Sequence, residues 1–511
     1  MEESKKTKLE RLLLRLRRGS AEYALPFISA LIFGLAAHMF AFTNKLVNAD
    51  EIESLFGKGA TVTSGRWGLE LVKFIFPDYS VPWLWGIVSI VLLAVSACII
   101  IRIFEIRSGL LRVLLAGIIV SFPSETGVFC FMFTSSAYAL SFLFSVLSCQ
   151  VFLKGRGVWK WVFAALLLVL SLSIYQAYAA VTASIFLLYM IKRCIDGGES
   201  GGRIIVSGLK YLAVMLIAVI VYLALSYVAF YISGAEFNDY VKNNVNDISL
   251  PGRIRMAYNF FYYTLSYREF ALITNEASRY LHILCIAVCL GGVLWTAVRK
   301  IREKDLLTAA LLLLCTVLLP LAMNSIYLVM AKKSVHTLVL YSFIAVYIFA
   351  ALILDRVFCG SGAAQRILRD VLYISMAVTL FSNVFFANKV YLREYLQYEN
   401  AYSFYSILLS RAENTAGFDE NSKLAIIGVQ DNNLYTFPEL DTGYIMGPGR
   451  ELVNIYSREN FLRRYLGTDI PLATEEELEY IEGLDEFQDM AEYPYYGSVK
   501  KIDDFIVVRL G

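Results

Sequence analysis

Charged side chains are scarce in this 511-residue sequence and make up only 18% of it. Hydrophobic residues account for 58%, and the mean hydropathy of +0.58 is far above that of an ordinary soluble protein. This composition excludes a soluble globular protein and predicts a polytopic α-helical membrane protein.

Cysteines with metal-ligand spacing are also lacking. The eight cysteines are scattered along the apolar part of the chain, and none lies in its acidic C-terminal part. We interpret them as small apolar side chains or inert thiols, so the sequence predicts neither a disulfide framework nor a zinc site.

The net charge of +2 conceals two oppositely charged regions. From residue 388 to the end there are about 22 acidic and about 11 basic residues, which leaves the rest of the chain roughly 13 units positive. This asymmetry predicts that the two regions lie in different surroundings.

About eleven segments are apolar enough to cross a membrane, for which a helix needs about 20 residues. They lie near residues 23–43, 83–104, 109–123, 130–153, 158–175, 177–192, 210–232, 280–298, 305–323, 337–355 and 370–388. The segments at 109–123, 158–175 and 177–192 are short, so some of them are also compatible with tilted hairpins.

Basic residues indicate the orientation of these spans. They cluster in residues 1–22 and after the second, fourth, sixth, eighth and tenth spans, as with Arg102, Arg107 and Arg112 after the second. Because loops rich in lysine and arginine stay in the cytoplasm, residues 1–22 are predicted to form a cytoplasmic basic arm. They carry no cleavage signature of a signal peptide. An odd number of spans then places the acidic C-terminal part outside.

This orientation puts three segments on the outer face: residues 44–82, residues 233–279 and residues 389–511. The second contains "DISLPGRIRMAYNFFYYTLSYREF", which is typical of a helix lying on the membrane surface. In the third, "KLAIIGV" and "DDFIVVRL" predict strands, and Thr474 with Glu477 predicts a helix capping box. The third segment is therefore predicted to be a small extracytoplasmic α/β domain.

The first outer segment concentrates polar residues directly after the first span. Asn48 suits a helix N-cap, and Glu51 has the spacing of a capping-box partner. That role does not account for Asp50, whose carboxylate at the membrane boundary is suited to accept a proton from a hydroxyl group. Farther on, Arg66 and Trp67 suit either a lipid phosphate at headgroup depth or a simple interfacial anchor.

Several motifs, taken in order, resemble the Gtr type II glucosyltransferase family, whose members have the GT-C fold. The motifs are the "N-x-D-E" pair, "SGRW", "SIYQAY" and "LLPLAMNSIYLVMAKKSVHTLVLYS", and the resemblance extends to about residue 390. It implies transfer of a sugar, commonly glucose, from a polyprenyl phosphate carrier to a cell-envelope glycan on the outer face. It also implies a catalytic acidic residue in the first outer loop, where Asp50 and Glu51 match.

The residues suit such a reaction if it inverts the anomeric centre, because one carboxylate then suffices as the base and the phosphate leaves as an anion. The outer segments lack a nucleotide-phosphate loop and a DxD motif, which argues against a soluble sugar nucleotide as the donor. No cofactor is expected, and a role for a divalent metal stays open. The expected partners are the lipid-linked donor, the glycan acceptor and the bilayer, without nucleic acid.

Other residues are candidates for binding the donor. Lys332, Lys333 and His336 are predicted on the outer side. The two lysines go against the usual charge trend, which indicates either contact with the donor phosphate or an error in the predicted topology. His336 suits the same contact or a structural role. The sugar-binding candidates are polar residues beside short spans, with interfacial or turn-forming roles as the alternative: Tyr175, Gln176, Tyr178 and Glu125. A lipid-linked glycan polymerase or ligase, and a flippase of lipid-linked sugars, are the alternative functions.

Overall fold

The computed structural model describes residues 21–235, 248–266, 275–329, 337–360, 362–419, 421–428 and 455–511, with residues 440, 442 and 453. The described residues form two compact units. The membrane unit contains residues 21–45, 57–389 and 442. The C-terminal unit contains residues 46–56 and 390–511 apart from 442. Lys332, Lys333 and His336 lie outside the described residues, so their predicted phosphate contact stays a prediction.

The membrane unit is helical. Its helices are α1 (Ala24–Thr43), α3 (Gly68–Val72), α4 (Pro82–Phe104), α5 (Gly109–Ser121), α6 (Pro123–Phe129), α7 (Met132–Lys154), α8 (Trp159–Ile174), α9 (Ala179–Asp196), α10 (Gly201–Ser233), α11 (Leu250–Ser266), α12 (Glu276–Arg302), α13 (Leu306–Met323), α14 (Ile326–Val329) and α15 (Ala345–Arg356). Short 3₁₀ turns lie at Ala21–Tyr23, Val62–Ser64, Gln176–Tyr178, Thr337–Val339 and Tyr341–Ile344. Helix α16 (Ala363–Glu413) contributes residues to both units.

Nine helical segments within the described residues are long and apolar enough to cross a membrane. This confirms a polytopic helical membrane protein. Two of the eleven predicted segments, however, do not form helices of sufficient length to count as spans. The segment predicted at 158–175 forms α8, which has only 16 residues. The segment predicted at 337–355 begins with two 3₁₀ turns and contains the 12-residue helix α15. Hydropathy alone does not reveal such interruptions of a helix.

Hydroxyl groups join the buried faces of these helices. Ser141 of α7 and Ser171 of α8 each donate a hydrogen bond to the other's backbone carbonyl, at 2.9 and 2.8 Å. The hydroxyls of Ser145 and Thr182 lie 2.8 Å apart, between α7 and α9. Small hydroxylated residues are frequent between membrane helices because they permit close packing and satisfy their own polar atoms.

One end of the membrane unit carries an ion network around Glu105, which follows α4. The Glu105 carboxylate binds Lys154 at 2.8 Å and Lys192 at 3.1 Å. Arg356 donates to the backbone carbonyl of Glu105 at 3.2 Å and pairs with Asp196 at 3.2 Å. These residues come from the loops after the second, fourth, sixth and tenth predicted spans, so those four loops share one end of the unit.

The C-terminal unit contains α2 (Ala49–Glu53), α17 (Ile455–Tyr465), α18 (Glu475–Glu482), α19 (Asp485–Gln488) and three strands, β1 (Lys423–Ile427), β2 (Val499–Ile502) and β3 (Phe505–Arg509). The strand order is β1-β3-β2, with β1 parallel and β2 antiparallel to β3. The two predicted strand motifs are confirmed, as is the capping box of Thr474 and Glu477. Buried Ile52 and Phe461 belong to one hydrophobic cluster with the sheet residues Ile426 and Val508.

Candidate active site

Helix α2 carries the two candidate catalytic carboxylates. The side-chain oxygen of Asn48 accepts a hydrogen bond from the Glu51 backbone N–H at 2.9 Å, which confirms Asn48 as the N-cap. Asp50 is exposed, whereas Glu51 is fully buried. Since a general base must reach the substrate, this difference favours Asp50 over Glu51 for that role.

Helix α17 holds α2 in place through the carboxyl end of α2. The guanidinium group of Arg464 donates to the carbonyl oxygens of Ile52 and Glu53, at 2.9 and 3.1 Å. The amide of Asn460 donates to the Glu53 carboxylate at 2.7 Å. A cation at the end of a helix satisfies carbonyls that have no partner within the helix and interacts favourably with its dipole. Neither residue could be found from the sequence, because each lies about 400 positions from α2.

Helix α17 also contacts the sheet of the C-terminal unit. Arg458 donates to the carbonyl oxygen of Ile426 on β1 at 2.9 Å. At the other end of α17, Tyr465 stacks on Phe461 with 5.5 Å between ring centroids. Burial raises the pKa of Tyr465, and the nearby Glu51 carboxylate raises it further. Glu51 is therefore part of the packed interior around α17, and Asp50 stands on a helix with little freedom to move.

In the membrane unit, Arg66 lies among tyrosine rings. Its guanidinium donates to the Tyr138 hydroxyl at 2.9 Å and lies 5.5 Å from the centroid of the Tyr175 ring. The rings of Tyr138 and Tyr175 stack at 4.1 Å, tilted by 14°. The preceding Gly65 has φ 71°, a left-handed conformation that favours glycine and turns the chain before Arg66. The guanidinium is thereby oriented on an aromatic surface.

The segment around Arg66 is fastened by Gln176. The amide nitrogen of Gln176 donates to the carbonyl of Ser64 at 3.1 Å and to the Tyr222 hydroxyl at 3.0 Å. That hydroxyl in turn donates to the carbonyl of Gly65 at 2.9 Å. The donor capacity of this amide is thus used inside the protein, which positions the Arg66 segment, and the contact of Gln176 with sugar stays a prediction.

The neighbouring Trp67 and Gly68 also attach this segment to the helices. The Trp67 indole N–H donates to the hydroxyl of Ser226 on α10 at 3.0 Å. A Cβ atom at Gly68 would lie 2.2 Å from the hydroxyl oxygen of Ser173, so only glycine permits this approach to α8. The first contact accounts for the tryptophan of "SGRW", and the second accounts for the glycine that follows this motif.

Glu125 and Tyr178 bring polar atoms into an aromatic interior. Glu125 is 1% exposed, and its Oε1 atom has no hydrogen-bond partner among the described residues. The Tyr178 hydroxyl, also buried, lacks one as well within that part of the chain. Glu125 interacts electrostatically with Tyr178 and Tyr341, and the Tyr178 ring lies 5.2 Å from that of Tyr175. Buried polar atoms are rarely left without a partner, so this pair is suited to a polar ligand such as a sugar hydroxyl.

Tyr138, Tyr175 and Tyr178 form a tyrosine cluster, which lies at the end of the membrane unit opposite the ion network. Tyr138 is near the start of α7, whereas Lys154 ends that helix; Tyr178 directly precedes α9, which ends at Asp196. Helices α7 and α9 each place the cluster at their amino end and the network at their carboxyl end. The structure therefore brings together Arg66, Tyr175, Tyr178 and, through Tyr178, Glu125.

Arg253 has a structural role, and the described residues contain no group suited to a metal ion. Arg253 donates to the backbone carbonyls of Ile248 and Leu328, both at 2.9 Å, which fastens α11. In the described residues, no group of three or more histidine, cysteine, aspartate or glutamate side chains is arranged to hold a metal ion.

Comparison with known proteins supplies the family. Searches against curated proteins and against solved structures found no significant match. The family model described as glucosyl transferase GtrII matches residues 39–349, which include α2, the segment around Arg66 and the tyrosine cluster. Because this match covers more than half of the chain, the protein belongs to the GtrII glucosyltransferase family and is a membrane glycosyltransferase.

Proposed function

We propose that this protein is an inverting glycosyltransferase that moves a sugar from a polyprenyl phosphate carrier to a cell-envelope glycan. The family to which the chain belongs favours glucose as this sugar. The transfer takes place on the outer face of the cytoplasmic membrane. One observation carries the proposal: Arg66, stacked tyrosines and the buried polar pair of Glu125 and Tyr178 lie together at one end of the membrane unit. A cation beside an aromatic and polar interior suits a phosphate linked to a sugar.

The orientation of the membrane unit supports an outer site. Four loops that the charge distribution predicts to be cytoplasmic share the ion network. If that end faces the cytoplasm, the tyrosine cluster faces outward. The amino terminus is then cytoplasmic, and the C-terminal unit, which follows an odd number of crossings, is extracytoplasmic.

Asp50 is the proposed general base. It removes the proton from the acceptor hydroxyl as that oxygen forms a bond to the anomeric carbon. The bond from the anomeric carbon to the phosphate oxygen breaks on the opposite side, so the configuration inverts, and polyprenyl phosphate departs as an anion. The exposure of Asp50 and the fixed position of α2 support this role.

Arg66 is proposed to bind the donor phosphate, and Lys332, Lys333 and His336 are proposed to assist it. A guanidinium group offers two parallel N–H donors to phosphate oxygens and stabilises the charge that grows on the leaving group. Tyr175 supplies an aromatic surface for the sugar ring next to Arg66.

Within the same cluster, Glu125 and Tyr178 are proposed to bind sugar hydroxyls. Their buried oxygen atoms have no hydrogen-bond partner among the described residues, which gives a physical basis for sugar selection, since a substrate lacking the matching hydroxyl leaves them unpaired.

A donor panel tests the proposal. The full chain in nanodiscs is incubated with a cell-envelope glycan and, separately, with polyprenyl phosphate glucose, polyprenyl phosphate mannose or UDP-glucose. We expect consumption of the glucose lipid and release of polyprenyl phosphate, with inversion at the anomeric carbon. Transfer from UDP-glucose without use of either lipid would contradict the proposed donor class.

A further inference from the structure

A polar pocket lies at the end of the membrane unit that carries the ion network. It has a volume of about 430 Å³ and opens to the surface. It is lined by residues at or beside the ends of α1, α4, α5 and α7, and the charged ones among them are Glu22, Arg102, Glu105, Arg107, Arg112 and Lys154. Since the tyrosine cluster is at the opposite end, this pocket is separate from the proposed donor site.

The pocket has an excess of positive charge. Its lining contains four cationic side chains and two carboxylates, which gives a net charge of +2. Arg112 pairs with Glu22 at 2.9 Å and Lys154 pairs with Glu105 at 2.8 Å, so both carboxylates are neutralised. Arg102 and Arg107 are exposed, and their guanidinium groups make no ion pair or hydrogen bond with any described residue. Within the described part of the chain, these two guanidinium groups of the lining are therefore unpaired and suited to an anion.

Apolar surface adjoins the pocket. Leu25 lies against the start of α5, where a Cβ atom at Gly109 would be 3.6 Å from its side chain. Leu25 and Leu110 are 51% and 54% exposed, and Ile28 and Ile32 continue the exposed face of Leu25 along α1. This face runs into the part of α1 that spans the membrane, so a charged pocket is continuous with a surface that contacts hydrocarbon chains.

We propose that this pocket binds the phosphate headgroup of an anionic phospholipid, with its acyl chain against the exposed face of α1. Arg102 and Arg107 bind the phosphate oxygens, because guanidinium groups pair with phosphate in a forked geometry. A basic pocket between membrane helices is a suitable site for an anionic headgroup. The apolar border favours a lipid over a soluble phosphate, and the site does not depend on the proposed transfer reaction.

Lipid occupancy tests this inference. The delipidated full chain is titrated with phosphatidylglycerol or phosphatidylcholine in detergent, and bound lipid is counted by native mass spectrometry. We expect a site selective for phosphatidylglycerol whose affinity falls about tenfold or more in the double variant Arg102→Gln/Arg107→Gln. The control Arg156→Gln/Arg203→Gln neutralises two exposed arginines outside the pocket lining and should keep the site.

Three results would overturn the inference. One is unchanged phosphatidylglycerol binding in the Arg102→Gln/Arg107→Gln variant, and another is an equal loss in the control. The third is full displacement of the lipid by glycerol phosphate at matched concentration, which would make the site one for free phosphate. The variant Arg102→Lys/Arg107→Lys keeps the charge and should bind with intermediate affinity, which separates loss of phosphate contact from misfolding.

Discussion

The two ends of the membrane unit use polar residues in different ways. At one end, Glu105, Lys154, Lys192 and Arg356 pair with one another and join the ends of four helices. At the other end, Arg66 lies on tyrosine rings, and the buried oxygen of Glu125 has no hydrogen-bond partner among the described residues. Paired charges fasten helices, whereas buried polar atoms without partners indicate where a ligand binds. This contrast is the reason for proposing that the chemistry occurs at the end with fewer charges.

The largest effect is expected from Asp50→Asn, which removes the proposed base and preserves the side-chain shape. Loss of general-base assistance lowers turnover by roughly 10²–10⁴-fold. The rate of single-turnover transfer from the lipid donor measures this loss. The control for charge is Asp469→Asn, because Asp469 is an exposed carboxylate of the C-terminal unit, which also contains Asp50. Near-normal turnover of Asp50→Asn would move the catalytic role to another residue.

Arginine-to-lysine substitutions should have different effects at the two ends of the membrane unit. Arg66→Lys keeps the charge and removes the forked geometry, so donor affinity and the transfer rate are each expected to fall about tenfold. Arg193→Lys, at the end with the ion network, changes an arginine that pairs with Glu199 and should leave both quantities unchanged. Equal behaviour of the two variants would mean that Arg66 is only an interfacial anchor.

A smaller effect is expected where α17 supports α2. Arg464→Gln removes a charged donor from two backbone carbonyls and destabilises this contact by about 1–3 kcal/mol. We expect the transfer rate to fall several-fold with little change in donor affinity, because the base is misplaced and the donor site is intact.

The adjacent Arg463 provides the control, since it is exposed and, as far as the described residues show, its guanidinium pairs only within α17, with Glu459 at 2.8 Å. Arg463→Gln should have normal activity. If Arg464→Gln also transfers at the normal rate, α17 does not position Asp50.

The smallest effect is expected in the ion network, and on stability alone. The hydrogen bond from Lys154 lowers the pKa of Glu105 to about 2, from an ordinary 4.5. Because the pKa is lower in the folded state, the stabilisation is fully present above about pH 4.5 and is lost as the pH falls towards 2. Glu105 is half exposed, so Glu105→Gln should cost at most about 1 kcal/mol.

Thermal unfolding in detergent at pH 7 and pH 3 measures this difference. The wild-type protein should unfold at a higher temperature than Glu105→Gln at pH 7, and the gap should narrow at pH 3. A gap that widens on acidification would show that Glu105 does not act as the ionised centre of the network.

The sequence predicts best those features that depend on neighbouring residues. The N-cap at Asn48, the capping box at Thr474 and the strands of the C-terminal unit are local patterns, and the structure confirms them. The apolar segments were also recognised, but the sequence did not reveal that the segment at 337–355 starts with 3₁₀ turns, because hydropathy does not record backbone geometry.

Contacts between distant residues were not predictable from one sequence. Nothing near Arg464 indicates that it binds α2, and nothing in "SSAY" indicates that Tyr138 stacks on Tyr175. Likewise, the sequence does not indicate that the amide nitrogen of Gln176 joins Ser64 to Tyr222, and the contact of Gln176 with sugar stays a prediction. The roles of Asp50, Arg66 and Glu125 stay predictions, now with defined surroundings.

Accessibility of single thiols in intact cells tests most directly that the chemistry lies on the outer face. Cys359 is exposed and follows Arg356 of the ion network, and Ala60 is exposed in the first predicted outer segment. With a membrane-impermeant maleimide, we expect labelling of Ala60→Cys in a Cys359→Ser background, and labelling of Cys359 only after permeabilisation. Labelling of Cys359 in intact cells, with protection of Ala60→Cys, would contradict the account.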